Sequence, residues 1–252
     1  MKHIIAITNQ KGGVGKTTTA VNLAAQLATT SRRVMLVDLD PQGNASSSLG
    51  IDKEILNQTL YDVLVSGVEP SNIVLPTNVD NLFLLPTNNH LAQAEVDLVG
   101  LDRREFRLKD MLQSIDVEVI IIDCPPALGL LTINALTAAT DILIPVQSEY
   151  FALEGLGQLL QTVQLVKQGL NPQLEILGVA LTMFNKRMVL SEQVQAEVAQ
   201  HFGDKLFKTV IPRNVRLAEA PSYGRTIFEH DKWSKGARAY KQLAKEIAQK
   251  LH

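Results

Sequence analysis

The chain alternates between short runs of apolar residues and longer stretches in which apolar positions recur every three or four residues. The short runs predict buried β-strands, and the longer stretches predict helices with one apolar face. Their alternation predicts an α/β fold, a mostly parallel twisted sheet with helices on both faces. The predicted strands are 3–8, 33–39, 82–85, 118–123, 141–146, 175–182 and 206–211. The predicted helices are 16–29, 89–99, 103–114, 129–138, 152–168, 190–202 and 233–250, and 66–81 is expected to be a surface loop.

The composition is typical of one folded unit. The chain has 252 residues, of which 46% are hydrophobic and 20% are charged, with a net charge of −2. This length lies within the range of single α/β domains, and no repeat or linker divides the chain, so we expect one domain over residues 1–252. A charge this close to zero excludes a global polyanion-binding surface. We expect no secretory signal and no membrane span, since no apolar run approaches ~20 residues, and hence a cytoplasmic location.

A glycine-rich segment, NQKGGVGKTT at residues 9–18, links the first predicted strand to the first predicted helix. This order of elements predicts a phosphate cradle, because glycines let backbone N–H groups point at phosphate oxygens beside a positive helix N-terminus. Lys16 can reach the β- and γ-phosphates of a nucleotide, and the Thr17 hydroxyl can bind Mg²⁺. The predicted nucleotide-binding residues in this segment are Lys11, Gly12, Gly13, Val14, Gly15, Lys16, Thr17 and Thr18.

Aspartates end two further predicted strands. Asp38 and Asp40 follow the apolar run at 33–37, and Asp123 ends the run at 118–122. In open α/β sheets, ligands bind at the carboxyl ends of the strands. A charge next to a buried strand is costly unless it is paired or binds a metal, so Asp38 and Asp123 favour a metal site over simple turn residues.

The glycine loop departs from the common P-loop, because Gln10 stands where a glycine is expected and Lys11 follows it. This resembles the deviant Walker A motif of the ParA/MinD family of ATPases. The resemblance implies ATP and Mg²⁺ as ligands and an ATP-dependent homodimer, in which Lys11 crosses to the partner's nucleotide. It also implies that Thr17, Asp38 and Asp123 surround Mg²⁺, and that Lys11, Lys16 and Asp40 are catalytic, with Asp40 orienting the attacking water.

Four other segments resemble those of Soj-type ParA partitioning proteins, so the resemblance runs nearly end to end. It implies non-specific binding to double-stranded DNA, a nucleoid-associated location and a ParB-like partner that stimulates hydrolysis. It also implies that Pro212 and Asn214 contact the adenine base. The four segments are 38–44, 122–126, 145–152 (Pro145-Val146-Gln147 with Glu149-Tyr150-Phe151-Ala152) and 211–222.

Charge is concentrated near the last of these segments. Residues 208–241 contain eight basic and three acidic residues, a local charge of +5 in a chain of net −2. Lysine and arginine contacts to phosphates give DNA affinity that does not depend on base sequence. We expect no sequence-specific operator binding, because no helix-turn-helix region precedes the glycine loop. The candidate DNA-binding residues are Lys186, Arg187, Arg213, Arg216 and Arg225.

Other classes of nucleotide-binding or metal-binding protein are alternatives to this interpretation. Cys124 is the single cysteine, which excludes the P-loop proteins that bridge an iron–sulfur cluster, and the five histidines lack the spacing of zinc ligands. A MinD-like membrane ATPase would use the basic C-terminal helix as an amphipathic anchor. That helix is rich in alanine and lacks Trp and Phe on its apolar stripe, so we expect it to pack as a closing helix without membrane binding. A biosynthetic ligase of the dethiobiotin synthetase type is the other alternative.

Overall fold

A computed structural model describes residues 2–29, 32–149 and 154–251. Its strands are β1 (His3–Ile7), β2 (Val34–Asp38), β3 (Leu75–Pro76), β4 (Leu82–Leu85), β5 (Val119–Asp123), β6 (Asp141–Gln147) and β7 (Glu175–Thr182). Within these residues they form one seven-stranded sheet, in the order β3-β4-β2-β5-β1-β6-β7. Every neighbouring pair is parallel except β3 and β4, which are antiparallel. The predicted α/β fold with a mostly parallel sheet is confirmed.

Helices connect the strands. They are α1 (Lys16–Ala28), α2 (Asn44–Ser48), α3 (Leu60–Ser66), α4 (Ala94–Asp97), α5 (Arg107–Gln113), α6 (Leu130–Ala138), α7 (Glu154–Gly169), α8 (Val189–Phe202), α9 (Val215–Glu219), α10 (Ile227–Asp231) and α11 (Lys235–Lys250). Short 3₁₀ helices lie at Lys53–Ile55, Pro70–Asn72, Asn89–Gln93, Leu98–Gly100, Gly203–Lys205 and Ala220–Tyr223.

Both faces of the sheet are covered. Along β5, Ile121 belongs to one buried cluster, whereas Ile120 and Ile122 belong to the other, because successive side chains of a strand point to opposite faces. Helices α1, α10 and α11 contribute to the cluster of Ile121, and α5, α6 and α7 contribute to the other. Burial on both faces explains why the central strands are continuous apolar runs.

The predicted strand 206–211 is wrong. This segment touches the edge strand β7 only at isolated points, with the Phe207 N–H donating to the Val179 carbonyl and the Ile211 N–H to the Leu181 carbonyl. Between these points, the N–H groups of residues 208 and 209 donate to the Glu246 carboxylate of α11, at 3.0 and 3.1 Å. A side chain from a distant helix therefore takes the hydrogen bonds that a regular ladder would have used.

Other boundaries also differ from the predictions. The predicted loop 66–81 contains a 3₁₀ helix and β3, and the pattern missed the short helices α2, α3, α9 and α10. The predicted helix 89–99 is a 3₁₀ helix followed by one α-helical turn and a second 3₁₀ turn, and residues 152–153 of another prediction lie outside the described part of the chain. Short helices of about five residues bury too few positions to show a helical period.

Helix α11 closes the fold, as predicted. Its apolar stripe, which includes Tyr240, Leu243 and Ile247, is buried in the same cluster as α1. The Tyr240 hydroxyl lies 3.1 Å from the Thr19 hydroxyl in α1, within hydrogen-bond distance. This stripe is therefore not available to a membrane surface. Among the described residues, no helix is both long enough and apolar enough to span a bilayer.

Candidate functional site

The glycine loop turns sharply between β1 and α1. Gly13 and Gly15 have φ values of 74° and 86°, in the left-handed region that side chains disfavour. Two contacts fix the loop to β7 and β6: the Thr182 hydroxyl donates to the Val14 carbonyl at 2.8 Å, and the Asn9 amide donates to the Pro145 carbonyl at 2.8 Å. The loop is thus held in one conformation at the carboxyl edge of the sheet.

Lys16 begins α1 and is buried in this loop. Its Nζ donates to the Lys11 carbonyl oxygen at 3.2 Å. Burial lowers the pKa of the Lys16 ammonium, whereas the carboxylates of Asp123 and Asp40 act in the opposite direction. The ammonium is therefore held inside the loop, where the phosphates of a nucleotide would surround it.

Asp38 and Asp123 are register partners at the carboxyl ends of β2 and β5. Both are completely buried. Asp38 Oδ2 accepts hydrogen bonds from the Ser46 N–H and hydroxyl, each at 2.7 Å. Asp38 Oδ1 and both oxygens of Asp123 have no hydrogen-bond partner among the described residues. The Thr17 side chain is near enough to lower the pKa of Asp123, but it does not reach hydrogen-bond geometry.

Burial disfavours the charged form of both carboxyl groups. It raises the pKa of Asp38 to about 7 and raises the pKa of Asp123 well above its usual range, and the repulsion between the two carboxylates adds to the effect on Asp123. Buried carboxylate oxygens without partners are costly, and a hard cation is the natural ligand to satisfy them. Thr17, Asp38 and Asp123 therefore have the donor atoms that Mg²⁺ requires.

The described residues do not supply a full coordination shell for a metal ion. Within the described ranges, no cluster of three or more His, Cys, Asp or Glu side chains could hold a metal ion. Mg²⁺ in proteins commonly takes one or two carboxylates and completes its shell with water and phosphate oxygens. The residues present thus fit a magnesium ion that arrives with a nucleotide better than a permanent protein-bound metal.

Asp40 lies two residues beyond Asp38, in a tight turn. Its Oδ1 accepts the Gln42 N–H at 3.0 Å, and its carbonyl oxygen accepts the Gly43 N–H at 2.8 Å. The residue is 8% exposed. The turn holds this carboxylate near Lys16, since both Asp40 and Asp123 influence the lysine pKa.

The second lysine of the loop lies apart from Lys16. Lys11 Nζ is 3.6 Å from Glu149 Oε2, and the two side chains are 35% and 53% exposed. Glu149 also accepts a hydrogen bond from the Gln147 amide. The Lys11 ammonium is therefore on the surface, paired with a carboxylate at the end of β6. Tyr150, Phe151 and Ala152 of the same motif lie outside the described residues.

A cavity of about 310 Å³ opens beside Gly15 and Thr18. Pro212 and Asn214 line it, so the structure brings the two predicted base contacts next to the glycine loop. Asn214 Oδ1 is buried and has no hydrogen-bond partner in the described part of the chain. An acceptor in this state suits the amino group of a base. Sequence reasoning missed Met183 and Tyr240, which also line the cavity.

Met183 has a φ of 51°, which is unusual for a residue with a side chain. No sequence signal marks this conformation. Tyr240 reaches the cavity from α11, although it is more than 200 positions along the chain from Thr18. The apolar stripe of the helix predicted that Tyr240 is buried, but it did not predict that Tyr240 lines the same cavity as Thr18.

The candidate DNA-binding residues are all exposed but are not equivalent. Arg216 pairs with Glu219 at 2.9 Å and with Asp231 at 3.8 Å, so much of its charge is compensated. The other four form no ion pair with any described residue. Lys186 and Arg187 lie on a loop that neighbours Arg213, because residues 184 and 212 form a parallel bridge. The structure thus groups three cations near the nucleotide cavity.

Comparisons with known proteins place the chain in a family. A protein-family model described as an AAA domain matches residues 2–176. The chain is 57% identical to the sporulation initiation inhibitor protein Soj of Bacillus subtilis (strain 168), over 98% of this chain and 99% of that protein. It is 52% identical to the chromosome partitioning protein ParA of Myxococcus xanthus (strain DK1622), over 97% and 87% of the two chains.

The fold is shared with solved nucleotide complexes. A crystal structure described as cobyrinic acid a,c-diamide synthase from Mycobacterium smegmatis, with bound ADP and magnesium, superposes with a TM-score of 0.86. It is 41% identical to this chain, and the match covers 97% of this chain and 93% of the other. That protein therefore binds ADP and magnesium on the fold described above.

Proposed function

The chain belongs to the ParA/Soj family of chromosome-partitioning ATPases, and we propose that it works as a switch between an ATP-free monomer and an ATP-bound dimer that binds DNA. The buried carboxylates of Asp38 and Asp123, beside the enclosed ammonium of Lys16, carry the nucleotide part of this proposal. The base would enter the cavity lined by Pro212 and Asn214. The sheet with two covered faces supports the interpretation of the chain as one domain.

In the proposed reaction, the loop N–H groups and Lys16 bind the β- and γ-phosphates and orient them. Thr17, Asp38 and Asp123 would hold Mg²⁺, which when bound neutralises charge on the phosphates. Asp40, fixed in its turn by the Gln42 and Gly43 N–H groups, orients the attacking water. The burial of Lys16, Asp38 and Asp123 strengthens their electrostatic contacts, because these groups are shielded from bulk water.

Dimer formation would complete the site. Lys11 is partly exposed, and among the described residues its ammonium forms one weak ion pair, with Glu149. A surface ion pair of this kind contributes little free energy, so the lysine can exchange it for the phosphates of a partner's nucleotide. ATP would thus favour the sandwich dimer, and hydrolysis would return the protein to monomers.

The exposed cations Lys186, Arg187, Arg213 and Arg225 would bind DNA phosphates without regard to sequence, and the dimer would present two copies of this surface to one duplex. The proposed location is therefore the nucleoid, in the cytoplasm. A ParB-like centromere-binding protein that accelerates hydrolysis is the proposed partner. A MinD-like membrane role has less support, because the apolar stripe of α11 is buried.

A biosynthetic ligase is the second candidate function, since a structure 41% identical to this chain is described as a diamide synthase. Relatives with higher identity, above 50%, have sporulation or partitioning descriptions, which favours the switch. The deciding experiment measures ATP turnover with DNA plus a ParB-like protein, and separately with small carboxylate substrates. Gel filtration with and without ATP accompanies it. Stimulation by a small carboxylate, with no dimer and no DNA response, would support the ligase.

A further inference from the structure

Two aromatic side chains are exposed within the basic segment 208–241. Tyr223 is 65% exposed and Trp233 is 77% exposed. Among the described residues, they are the only aromatic members of the set of exposed large hydrophobic side chains. Aromatic residues are enriched where proteins contact their partners, because they combine large contact area with few rotatable bonds. Their position in the most basic part of the chain points to a shared binding surface.

The two residues belong to a set of exposed side chains in one segment of the chain, which we call the aromatic face and define by Arg216, Tyr223, Arg225, Lys232 and Trp233. A continuous series of contacts joins its two ends. The Tyr223 ring stacks on the His230 ring, with centroids 5.1 Å apart, and His230 lies 3.5 Å from Glu219. Glu219 pairs with Arg216 at 2.9 Å, and Arg216 lies 3.8 Å from Asp231. Asp231 in turn accepts a hydrogen bond from the Trp233 N–H at 3.1 Å.

Cations flank the rings on this face. Lys232 Nζ lies 5.3 Å from the centre of the Trp233 ring. Arg225 is exposed and forms no ion pair with any described residue, whereas Arg216 is compensated by its two carboxylates. Lysine is depleted in the interfaces between proteins. Cations beside exposed aromatic rings are instead the composition of surfaces that bind nucleic acid, with phosphates on the cations and bases on the rings.

We propose that Trp233, together with Tyr223, contacts the bases of bound DNA. This inference rests on the DNA binding of the proposed function and extends it from phosphate contacts to base contacts. An apolar or aromatic side chain can enter between base steps from the groove of a duplex. Every base has an aromatic face, so such contacts add affinity without requiring a particular sequence. The affinity should therefore contain a part that salt does not weaken.

Trp233 is the single tryptophan of the chain, so its fluorescence reports on this site alone. In the first experiment, the full chain is kept with a non-hydrolysable ATP analogue and is titrated with one of two polyanions. One is a 24-base-pair duplex of random sequence, and the other is heparin, which has no bases. DNA should quench the emission and protect it from iodide, and heparin should not. As a matched control, Trp233→Phe combined with Leu165→Trp moves the only tryptophan to α7. Leu165 is 67% exposed, and α7 packs on the opposite face of the sheet, so DNA should leave this emission unchanged.

The second experiment measures the affinity for labelled DNA at several salt concentrations. Trp233→Ala should weaken binding on the order of tenfold at every salt concentration, with an unchanged slope of log K against log salt. Arg225→Ala should lower that slope by about 0.9, the value of one phosphate contact. Trp233→Phe should keep most of the affinity, because it retains an aromatic face. Since Trp233 is on the surface, these variants should fold like the parent protein.

The possible results distinguish a failure of this inference from a failure of the proposed function. If the labelled DNA binds but Trp233 emission stays unchanged, or Trp233→Ala binds like the parent, the base contact is overturned and the DNA-binding switch stands. Equal quenching by heparin overturns it as well. A change in emission with the ATP analogue alone, with none on adding DNA, would place the ring between two copies of the chain and would also overturn it. If no DNA binds under any condition, the proposed function itself fails.

Discussion

The side chain of Lys53 lies across Gly43, in the turn that follows Asp40. Its ammonium donates a hydrogen bond to the Gln42 carbonyl oxygen at 2.5 Å. Gly43 has a φ of 61°, and a Cβ built there would collide with the stem of Lys53 and lie 2.9 Å from the Thr87 carbonyl oxygen. This glycine is therefore required both by the turn and by the lysine packed against it. The contact fixes the turn that holds the proposed water-orienting carboxylate.

The first prediction follows from this contact. Gly43→Ala should displace Lys53 and the Asp40 turn, so kcat for ATP should fall severalfold while nucleotide affinity changes little. The matched control is Gly67→Ala. Gly67 also has a positive φ, 73°, but a Cβ added there would have no atom within 4 Å. That variant should lose about 1 kcal/mol of stability and keep its kcat. Steady-state ATPase assays and nucleotide titrations measure both; equal kcat in the two variants would contradict the prediction.

The second prediction concerns the two charged groups of the reaction. Lys16→Ala should abolish nucleotide binding, because its buried ammonium meets phosphate charge already in the ground state. Asp40→Ala should still bind ATP but lose hydrolysis and accumulate as a dimer, because its proposed contact is with the attacking water. Fluorescent-nucleotide binding, phosphate release and gel filtration test the pair. Hydrolysis by Asp40→Ala at the parent rate would refute its assigned role.

The third prediction concerns assembly. Lys11→Ala should bind ATP but dimerise and hydrolyse poorly, because its ammonium is proposed to complete the partner's site. Gly12→Val should block the same dimer. A Cβ at Gly12 meets no atom within 4 Å in the monomer, so the substitution should leave the fold intact. A nucleotide titration accompanies it, because Gly12 is also among the predicted nucleotide-binding residues. Sedimentation with an ATP analogue is the measurement, and circular dichroism is the control. Normal dimers of either variant would exclude the proposed interface.

The fourth prediction ranks the arginines. Loss of charge at Arg187, Arg213 or Arg225 should weaken binding to all DNA sequences alike and reduce the salt dependence by about 0.9 per phosphate contact. Arg216→Ala should have a smaller effect, because its charge is compensated by Glu219 and Asp231. Arg103→Ala is a suitable control, since this exposed arginine lies far from the basic segment in the chain and pairs with Asp110.

Binding in that series should also require ATP, because only a dimer presents two copies of the surface to one duplex. Filter binding over a range of salt concentrations, with and without a non-hydrolysable analogue, provides the test. A flat salt response would remove the electrostatic basis of the assignment. Arg213 needs a parallel nucleotide titration, because its neighbours Pro212 and Asn214 line the cavity.

The fifth prediction concerns α11. Ile247→Ala should lower the free energy of unfolding by about 2–5 kcal/mol, because Ile247 is fully buried between α11 and the sheet. Gln242→Ala, on the exposed side of the same helix, should change stability little. Urea unfolding measures both. The parent protein should not float with lipid vesicles, and vesicle binding that Ile247→Ala abolishes without loss of stability would instead favour a membrane helix.

Local patterns predicted most of the fold and indicated the residues of the proposed phosphate-binding end of the site. The six long strands are continuous apolar runs because both faces of the sheet are covered, and a run of this kind can be recognised from neighbouring residues alone. The aspartates at 38 and 123 end two of these runs, and the glycines with Lys16 and Thr17 follow a third, so their positions can also be recognised from neighbouring residues. The charge cluster at 208–241 is also visible in the sequence, as a matter of composition.

Tertiary structure decided what depends on residues far apart in the chain. Glu246 takes the N–H groups of residues 208 and 209, so an apolar run that looks like a strand is not one. Tyr240 and Met183 meet Asn214 at the cavity, and two acidic neighbours reduce the free charge of Arg216. Hydrophobic periodicity reports whether a position is buried, but it carries no information on which distant side chain will be its neighbour. Hydrogen bonds and ion pairs depend on that neighbour, and only the packed chain supplies it.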